Sequence, residues 1–324
     1  MDIYVKKAII HQFSPDDTDL YLADKFLNIT PKIEEYLRKK IERVYSDEAR
    51  TGIFEEDNPF LEMISDDLLE TSVAVANRWK EEFVVSENQK TNDLVFIQFS
   101  KEGVDHFAFL RIALRETLTH LGGEVDNPIK LTQNNLPGFG TGADEALVIN
   151  LQSRKYHLIE KRIKYNGTFL NYFSENLLQA QPKISPKKSI KALEKTAQKI
   201  AESFNTDDFQ FQSKVKSAIF NHIEEENKLS PEKLADDLFD DNLTARLSFI
   251  DQVKEAVPEP VTFEDIDASR QLRKFENQKL SLSNGIELIV PNNVYEDAES
   301  VEFILNENGT YSILIKNIED IQSK

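Results

Sequence analysis

Lysine and arginine side chains that could bind an anion are concentrated in one stretch of the sequence. Between Arg154 and Lys199 there are 11 basic and 3 acidic residues, a net charge of +8, although the whole chain of 324 residues carries −18. Such side chains neutralise phosphates, which supplies most of the non-specific affinity of proteins for nucleic acids. The stretch therefore predicts a phosphate-binding surface, while the acidic remainder argues against adsorption to DNA or membranes by the whole molecule.

The first candidate strip lies in residues 154–165. Read as one β-strand, this segment places alternate residues on one face, which we expect to be exposed: Tyr156, Leu158, Glu160, Arg162 and Lys164. A half-buried strand whose outer face is basic by chance would show the same alternation, so this alternative stays open. The candidate DNA-binding residues of the first strip are Arg154, Lys155, Lys161, Arg162 and Lys164.

The second candidate strip opens a helix predicted over residues 186–204. Ser185 fits its N-cap and Pro186 its first turn. Lys187 and Lys188 then lie in the first turn, where each cation opposes the helix dipole at a cost of about 0.3–1 kcal/mol. An anion docked there would offset this cost, and neutralisation by the acidic residues 207–269 is the alternative. The candidate DNA-binding residues of the second strip are Lys183, Lys187, Lys188 and Lys191.

Aromatic residues are interleaved with the basic residues of the first strip. We expect Asn166–Gly167 to form a turn and Thr168 to cap a helix. Phe169, Tyr172 and Phe173 would then share the apolar face of that helix. The spacing therefore assigns these rings to the core, and not to a platform that stacks on bases.

Motifs for other chemistries are incomplete. The segment "GFGTG" (138–142) lacks the Lys-Ser/Thr of a P-loop and precedes its nearest strand, so we expect a flexible loop. The acid runs "DDTD" (16–19) and "DDLFDD" (236–241) lack calcium-loop spacing and are typical of solvated faces. The chain has no Cys, no His pair at metal-ligand spacing and no Gly-x-Ser-x-Gly. We expect a non-enzymatic protein without cofactor or metal, and a metal-dependent nuclease with a two-metal site is the enzymatic alternative.

The helices and strands predicted along the chain indicate an α+β fold. Apolar patterns predict a helix that starts after Thr30 and helical structure over residues 60–83. Residues 122–145 form a long polar connection, which is usually functional or flexible. The predicted strands cover residues 3–13, 92–100, 104–114, 146–152 and 154–165. We therefore predict an N-terminal mixed α/β domain with a largely antiparallel sheet, residues 1–205.

Residues 206–324 are predicted to form a second domain. Residues 201–269 contain 17 acidic and 6 basic residues, on helices predicted at 209–226, 231–239 and 243–256. A small C-terminal β-sheet follows, in which "NENG" predicts a hairpin turn. No apolar run is long enough to cross a membrane, and the first residues, "MDIYVKKAIIHQF", do not resemble a signal peptide. We therefore expect a cytoplasmic protein without a membrane partner.

Several stretches, in the same order along the chain, resemble the bacterial nucleoid-associated protein (NdpA) family. They are "IIHQF" (9–13), "EALVINL" (145–151), "YHLIEKRIKYNGTFLNYFSENL" (156–177) and "NGIELIVPNNVY…TYSILIKN" (284–317). The resemblance implies a cytoplasmic, nucleoid-located protein that associates with DNA and has no known catalysis. It assigns no individual binding residues, so the two strips depend on charge alone.

The residues and the resemblance together predict a nucleoid-associated protein that binds double-stranded DNA through phosphates, with low sequence specificity. Other nucleoid proteins are further expected partners, and a homodimer would gain avidity by presenting weak sites together. The main alternative is a protein-interaction module in which the acidic helical region, residues 207–269, docks a basic partner or masks the basic strips.

Overall fold

The computed structural model forms an α+β fold, as predicted. The residues that it describes are 2–16, 18–84, 90–120, 129–165, 167–205 and 209–322. The chain divides into two compact units, residues 1–185 and residues 186–324. This division falls earlier than the predicted boundary after residue 205, so the helix that begins at Pro186 belongs to the second unit.

The first unit is built around an antiparallel sheet. In chain order its strands are β1 (Ile3–Ser14), β2 (Asp19–Tyr21), β3 (Arg50–Ile53), β4 (Asn92–Lys101), β5 (Val104–Ala113), β6 (Arg115–His120), β7 (Ile129–Asn135), β8 (Glu145–Asn150), β9 (Lys155–Ile159), β10 (Ile163–Tyr165) and β11 (Thr168–Leu170). Among the described residues, seven of these strands form one sheet in the order β2–β1–β4–β5–β8–β9–β3. Every neighbouring pair in that sheet is antiparallel. The pairs β6–β7 and β10–β11 are separate hairpins.

The helices of the first unit begin at capping residues that the sequence supplies. They are α1 (Pro31–Glu42), α2 (Pro59–Glu62) and α3 (Leu68–Phe83), with a 3₁₀ turn (Arg43–Tyr45) and a π-helical turn (Phe173–Leu177). The Thr30 hydroxyl accepts a hydrogen bond from the N–H of Ile33 at 3.4 Å, as the predicted cap requires. The helical structure predicted over residues 60–83 is interrupted, because the Asp67 side chain caps α3.

Helical layers cover both faces of the sheet. On one face Trp79 and Phe83 of α3 contact the ring of Phe13 edge-on. On the other face Leu37 and Ile41 of α1 belong to a second apolar cluster. Because both faces are covered, the inner strands are apolar at consecutive positions instead of alternating.

A buried polar network ties the sheet to the π-helical turn. Arg111 Nε lies 2.7 Å from Glu145 Oε2, and the same carboxylate accepts a hydrogen bond from the Tyr172 hydroxyl. Trp79 Nε1 donates to the Tyr172 oxygen at 3.0 Å, and Arg111 donates to Asn92 Oδ1 at 2.9 Å. Burial raises the pKa of Tyr172 well above its usual value, and the charge of Glu145 adds to the rise. Tyr172 is therefore a neutral donor that fixes the turn to the core.

The predicted polar connection, residues 122–145, contains a strand. Residues 129–135 form β7 and pair with β6, so that Leu131 lies opposite Leu118. Both of these leucines are exposed. Residues 121–128 lie outside the described residues. For residues 129–135 the prediction of a continuous loop was wrong, because they form β7.

The second unit contains the acidic helices and ends in two hairpins. Its helices are α4 (Pro186–Ser203), α5 (Phe209–Glu226), α6 (Pro231–Leu238), α7 (Leu243–Ala256), α8 (Ser269–Phe275) and α9 (Asn292–Tyr295). Its strands are β12 (Lys228–Leu229), β13 (Val261–Thr262), β14 (Asn277–Ser281), β15 (Glu287–Pro291), β16 (Val301–Leu305) and β17 (Tyr311–Ile315). The strands form three separate two-stranded pairs in the described part of this unit, β12–β13, β14–β15 and β16–β17, instead of the single small sheet that was predicted.

Candidate nucleic-acid interface

Residues 154–165 do not form a single strand. β9 ends at Ile159, and β10 is a separate strand in a separate hairpin. On the face that we expected to be exposed, Tyr156 and Leu158 are buried in the core. On the opposite face, His157 is also buried. The prediction of one exposed basic face was therefore wrong, because helical layers cover the sheet on both sides of β9.

Glu160 fastens the end of β9 to neighbouring elements and is not part of a basic face. Its carboxylate accepts hydrogen bonds from the Arg50 guanidinium, from the Ser174 N–H at 3.0 Å and from the Ser174 hydroxyl at 2.9 Å. Burial raises the pKa of Glu160, although these hydrogen bonds and the charge of Arg50 oppose the rise. The charge pattern of the segment thus includes one residue whose role is structural.

Two cations of the first strip already contact carboxylates of the same chain. Lys161 Nζ lies 2.7 Å from Asp144 Oδ1, and Arg154 Nη1 lies 3.8 Å from Glu56 Oε2. Burial raises the pKa of Asp144, but hydrogen bonds from Lys161 and from a backbone N–H outweigh it and hold the pKa below its usual value. Exposed ion pairs of this kind contribute roughly 0–1 kcal/mol, so a phosphate could replace either carboxylate. Lys155 is half-buried within β9.

The exposed part of the first strip lies on the β10–β11 hairpin. Ile163 pairs with Leu170, and both pack against the core. Lys164 pairs with Phe169 on the outer face, and both are exposed. Arg162 directly precedes the hairpin, is exposed and has no ion pair with any described residue. The hairpin thus presents two cations beside an aromatic ring.

The ring of Phe169 is 58% exposed, whereas Tyr172 and Phe173 are fully buried. The assignment to the core was right for the two buried rings and wrong for Phe169. Residues 168–170 form β11 instead of the start of a helix, so Phe169 alternates outward. Asn166 of the predicted turn lies outside the described residues, and Gly167 has a φ of 80°, which glycine adopts readily.

Exposed lysines form a row along α4, which we call the lysine stripe: Lys188, Lys191 and Lys195. Their spacing of three and four residues places them on one face of the helix. No described carboxylate lies within ion-pair distance of any of the three, so neutralisation by the acidic helices is not seen there. Lys188 and Lys191 belong to the predicted second strip, whereas Lys195 was not predicted, although the helical spacing could have indicated it.

The remaining residues of the second strip lie on both sides of the boundary between the units. Lys183 belongs to the first unit, where its backbone N–H donates to the Thr51 carbonyl at 2.8 Å. Lys187 lies in the first turn of α4 in the second unit. Both side chains are exposed. The second strip is therefore not a feature of one unit, and the lysine stripe is the part that one helix positions.

The loop that contains "GFGTG" directs hydrogen-bond acceptors inward. The buried Lys40 ammonium donates to the carbonyls of Gly138, at 2.8 Å, and Thr141. It also lies 4.4 Å from the centre of the Tyr36 ring. Burial and two neighbouring arginines lower the pKa of Lys40 to about 8. A loop whose carbonyls surround a cation has the opposite polarity to a P-loop, whose N–H groups hold phosphate.

The acid run at residues 236–241 makes ion pairs with basic side chains of the same unit. The ion pairs are Asp236–Arg246 and Asp240–Lys214, both at 3.0 Å, and Asp237 Oδ2 makes a hydrogen-bond contact with His222 Nε2 at 2.7 Å. Across the ranges that the structure describes, no group of three or more acidic or histidine side chains lies close enough together to hold a metal ion. Asp17, in the other acid run, lies outside the described residues.

Comparison with known proteins identifies a family. A family model described as nucleoid-associated protein YejK matches residues 9–321, which include both units. Among curated proteins, none matches the chain. In the part of the chain that the structure covers, none of the helices has the length and apolar composition that spanning a bilayer requires. The match confirms the family resemblance of the sequence, and the chain therefore belongs to the family of nucleoid-associated protein YejK.

Proposed function

We propose that the protein is a non-catalytic nucleoid-associated protein that binds double-stranded DNA through its phosphates, with low sequence specificity. It acts in the cytoplasm, at the nucleoid, together with other nucleoid proteins. The family supports association with the nucleoid. The contacts with DNA are inferred from the surface charges of the described residues.

The lysine stripe is the observation that carries this proposal. The chain holds 57 acidic against 39 basic residues, so carboxylates outnumber cations overall. The three lysines of the stripe nevertheless have no described carboxylate partner. At a rise of 1.5 Å per residue, the stripe places three charges along about 10 Å of helix. A row of unpaired cations of this length suits a row of phosphates.

The β10–β11 hairpin offers a second contact surface, on the first unit. Lys164 lies on the hairpin and Arg162 directly precedes it, and both side chains are exposed. Lysine acts as a flexible point charge and contacts to phosphate carry no direct sequence information. Both surfaces therefore favour binding that depends on charge instead of base sequence. Self-association as a homodimer would double each surface and raise avidity.

The test is a charge reversal of the lysine stripe, Lys188→Glu/Lys191→Glu/Lys195→Glu, in the full chain. We expect the affinity for duplex DNA to fall, and the slope of log K against log salt to flatten by about 0.9 for each phosphate that the variant no longer neutralises. The matched control is Lys25→Glu/Lys32→Glu/Lys254→Glu, which makes the same change of net charge at exposed lysines elsewhere. The measurement is a fluorescence-anisotropy titration at several salt concentrations.

Equal affinity and salt slope in the stripe variant and the wild type would overturn the proposed surface. The acidic helical region, residues 207–269, would then be the leading interaction surface, as a docking site for a basic partner. Incubation of DNA with the protein and Mg²⁺ or Mn²⁺ tests the nuclease alternative, and we expect the DNA to stay intact.

A further inference from the structure

An open groove lies between the two hairpins of the second unit. The hairpins β14–β15 and β16–β17 line it, together with Phe209 of α5. Its cavity volume is about 890 Å³, which falls in the range of roughly 300–1,000 Å³ found for pockets that hold small ligands. The groove therefore has room for several side chains of a peptide segment.

Each hairpin turns an apolar face towards the groove. Leu280 pairs with Leu288 across β14–β15, and Phe303 pairs with Ile313 across β16–β17. All four side chains line the groove, and paired residues share one face of a hairpin. Tyr311, which also lines it, is 51% exposed. The two apolar faces are thus incompletely covered within a single chain.

Packing and hydrogen bonds hold both walls in place. Gln278 Nε2 donates to the Ser213 carbonyl at 3.1 Å and to Asn292 Oδ1 at 2.9 Å, which fastens β14 to α5 and to the start of α9. Phe209 contacts the rings of Phe303 and Tyr311 edge-on, which positions the second hairpin. A groove with fixed walls loses little conformational entropy when a segment binds.

The charge of the groove favours an acidic occupant. Lys216 and Lys279 are the charged side chains among its described lining residues, and no carboxylate lines it. Neither lysine has an ion pair with a described residue. An occupant that carries apolar residues together with two carboxylates would match both features.

The chain itself contains such a segment, which we call the IEDI segment: Ile318, Glu319, Asp320 and Ile321. Ile318 is 52% exposed and Ile321 is 82% exposed. None of the described residues 316–322 lines the groove, although β17, which directly precedes them, does. A single chain thus has both an open apolar groove with two lysines and an exposed apolar segment with two carboxylates.

We propose that the groove of one chain binds the IEDI segment of a second copy, and that the exchange is reciprocal. Such an isologous contact closes as a dimer, because each copy supplies one groove and one segment. This contact supplies the surface of the homodimer, and it forms independently of the ability of the protein to bind DNA.

The test uses two charge-reversal variants of the full chain and their mixture. The groove variant is Lys216→Glu/Lys279→Glu, and the segment variant is Glu319→Lys/Asp320→Lys. Each alone places like charges together, so we expect its self-association to weaken at least about tenfold relative to the wild type. In an equimolar mixture, each groove meets a segment of opposite charge on the other variant. We therefore expect the mixture to form heterodimers, measured by sedimentation equilibrium.

The control replaces the segment variant in the mixture with Glu224→Lys/Glu225→Lys, which makes the same change of net charge at exposed residues of α5. The control keeps the wild-type groove and segment, so one of the two reciprocal contacts with the groove variant stays repulsive, and we expect control homodimers in preference to heterodimers. A monomeric wild type, dimers that persist in either variant, or a mixture that stays monomeric would each overturn the proposal. If the segment instead docked into the groove of its own chain, the wild type would be monomeric.

Discussion

Phe169 is an exposed aromatic ring beside Lys164, and its substitution separates two modes of binding DNA. In Phe169→Ala, we expect affinity for single-stranded DNA to fall about fivefold or more, because base–aromatic stacking contributes about 1–3 kcal/mol per base. We expect affinity for duplex DNA to stay near the wild-type value, because stacked base pairs leave no face for the ring. Anisotropy titrations with labelled single-stranded and duplex oligonucleotides measure both.

Phe26→Ala is the control for Phe169→Ala, because Phe26 is also partly exposed and lies near a cation, Lys7. It should change neither affinity. A strong loss of duplex affinity in Phe169→Ala would contradict the stacking argument and indicate that the ring is inserted between base steps.

His11 is a buried histidine that the structure holds in its neutral form. Its Nδ1 accepts a hydrogen bond from the Ala23 N–H at 3.0 Å, so the proton lies on Nε2, which is 2.9 Å from Ser72 Oγ. The Ser72 hydroxyl in turn donates to the Leu69 carbonyl at 2.8 Å. Burial lowers the pKa of His11 from 6.5 to about 4.

This pKa shift predicts a loss of stability in acid. The unfolded chain protonates His11 as the pH falls below 6.5, whereas the folded chain does so only near pH 4. The contribution is fully present above pH 6.5 and is lost as the pH falls to 4, by up to about 3 kcal/mol at 1.36 kcal/mol per unit. Urea unfolding between pH 7 and pH 4 should show a steeper fall of the free energy of unfolding in the wild type than in His11→Gln. Parallel curves would contradict the assignment.

At the scale of elements, Gly52 determines how β3 pairs at the edge of the sheet. Gly52 lies opposite Tyr156 of β9, and a Cβ at this position would overlap the phenol of Tyr156. We expect Gly52→Ala to lower the free energy of unfolding by about 1–3 kcal/mol, the usual cost of overpacking. Gly140→Ala is the control, since its Cβ would meet open space. Equal thermal melting of the two variants would show that the Tyr156 ring moves aside.

The helices were the elements that the sequence predicted well. α5 and α7 have the predicted bounds, and α1 begins at the predicted cap. Capping residues and a 3.6-residue apolar period are local signals, so a helix can be recognised from its own residues. The same logic positions the lysine stripe, because one side of α4 is buried and the other must be exposed.

The strands near the first strip were predicted less well, for a physical reason. β9 is covered on both faces, and such a strand does not alternate between apolar and polar residues. Glu160 appeared to belong to an exposed basic face because its partners, Arg50 and Ser174, are distant in sequence. The position of Phe169 fits the spacing of a helix as well as that of a strand. Its pairing with Lys164 across the β10–β11 hairpin makes it part of a strand. Contacts between different segments cannot be recognised from the residues of one segment alone.

At the scale of the whole molecule, charge restricts how DNA can approach. The net charge is −18, and the cations of the two proposed contact surfaces lie on the lysine stripe and beside the β10–β11 hairpin. At physiological ionic strength the Debye length is about 8 Å, so carboxylates farther away are largely screened. In the proposed complex, contact with DNA is thus favourable only where these cations face the phosphates.

The apolar clusters of the two units share no residues, which predicts two separate unfolding transitions. The single tryptophan, Trp79, is buried in the first unit, so its fluorescence reports on that unit. Phe249→Ala removes a fully buried ring from the core of the second unit, a change that costs about 3–5 kcal/mol. We expect it to shift the helical circular-dichroism transition and to leave the fluorescence transition in place. Leu147→Ala, in the core of the first unit, should shift the fluorescence transition. A joint shift of both signals in Phe249→Ala would show that the units unfold together.

The sheet order also determines when its strands can pair during synthesis. β1 is made before β4, in which the partner of Phe13 is Asn92 and the partner of Ile3 is Lys101. At about 5–20 residues per second on the ribosome, β1 waits roughly 4–20 s for this partner. During that interval its apolar residues, such as Ile9 and Phe13, lack the strand that later covers one edge. Until β4 emerges, β2 is the nearby strand that can pair with β1, at Gln12, Phe13 and Ser14.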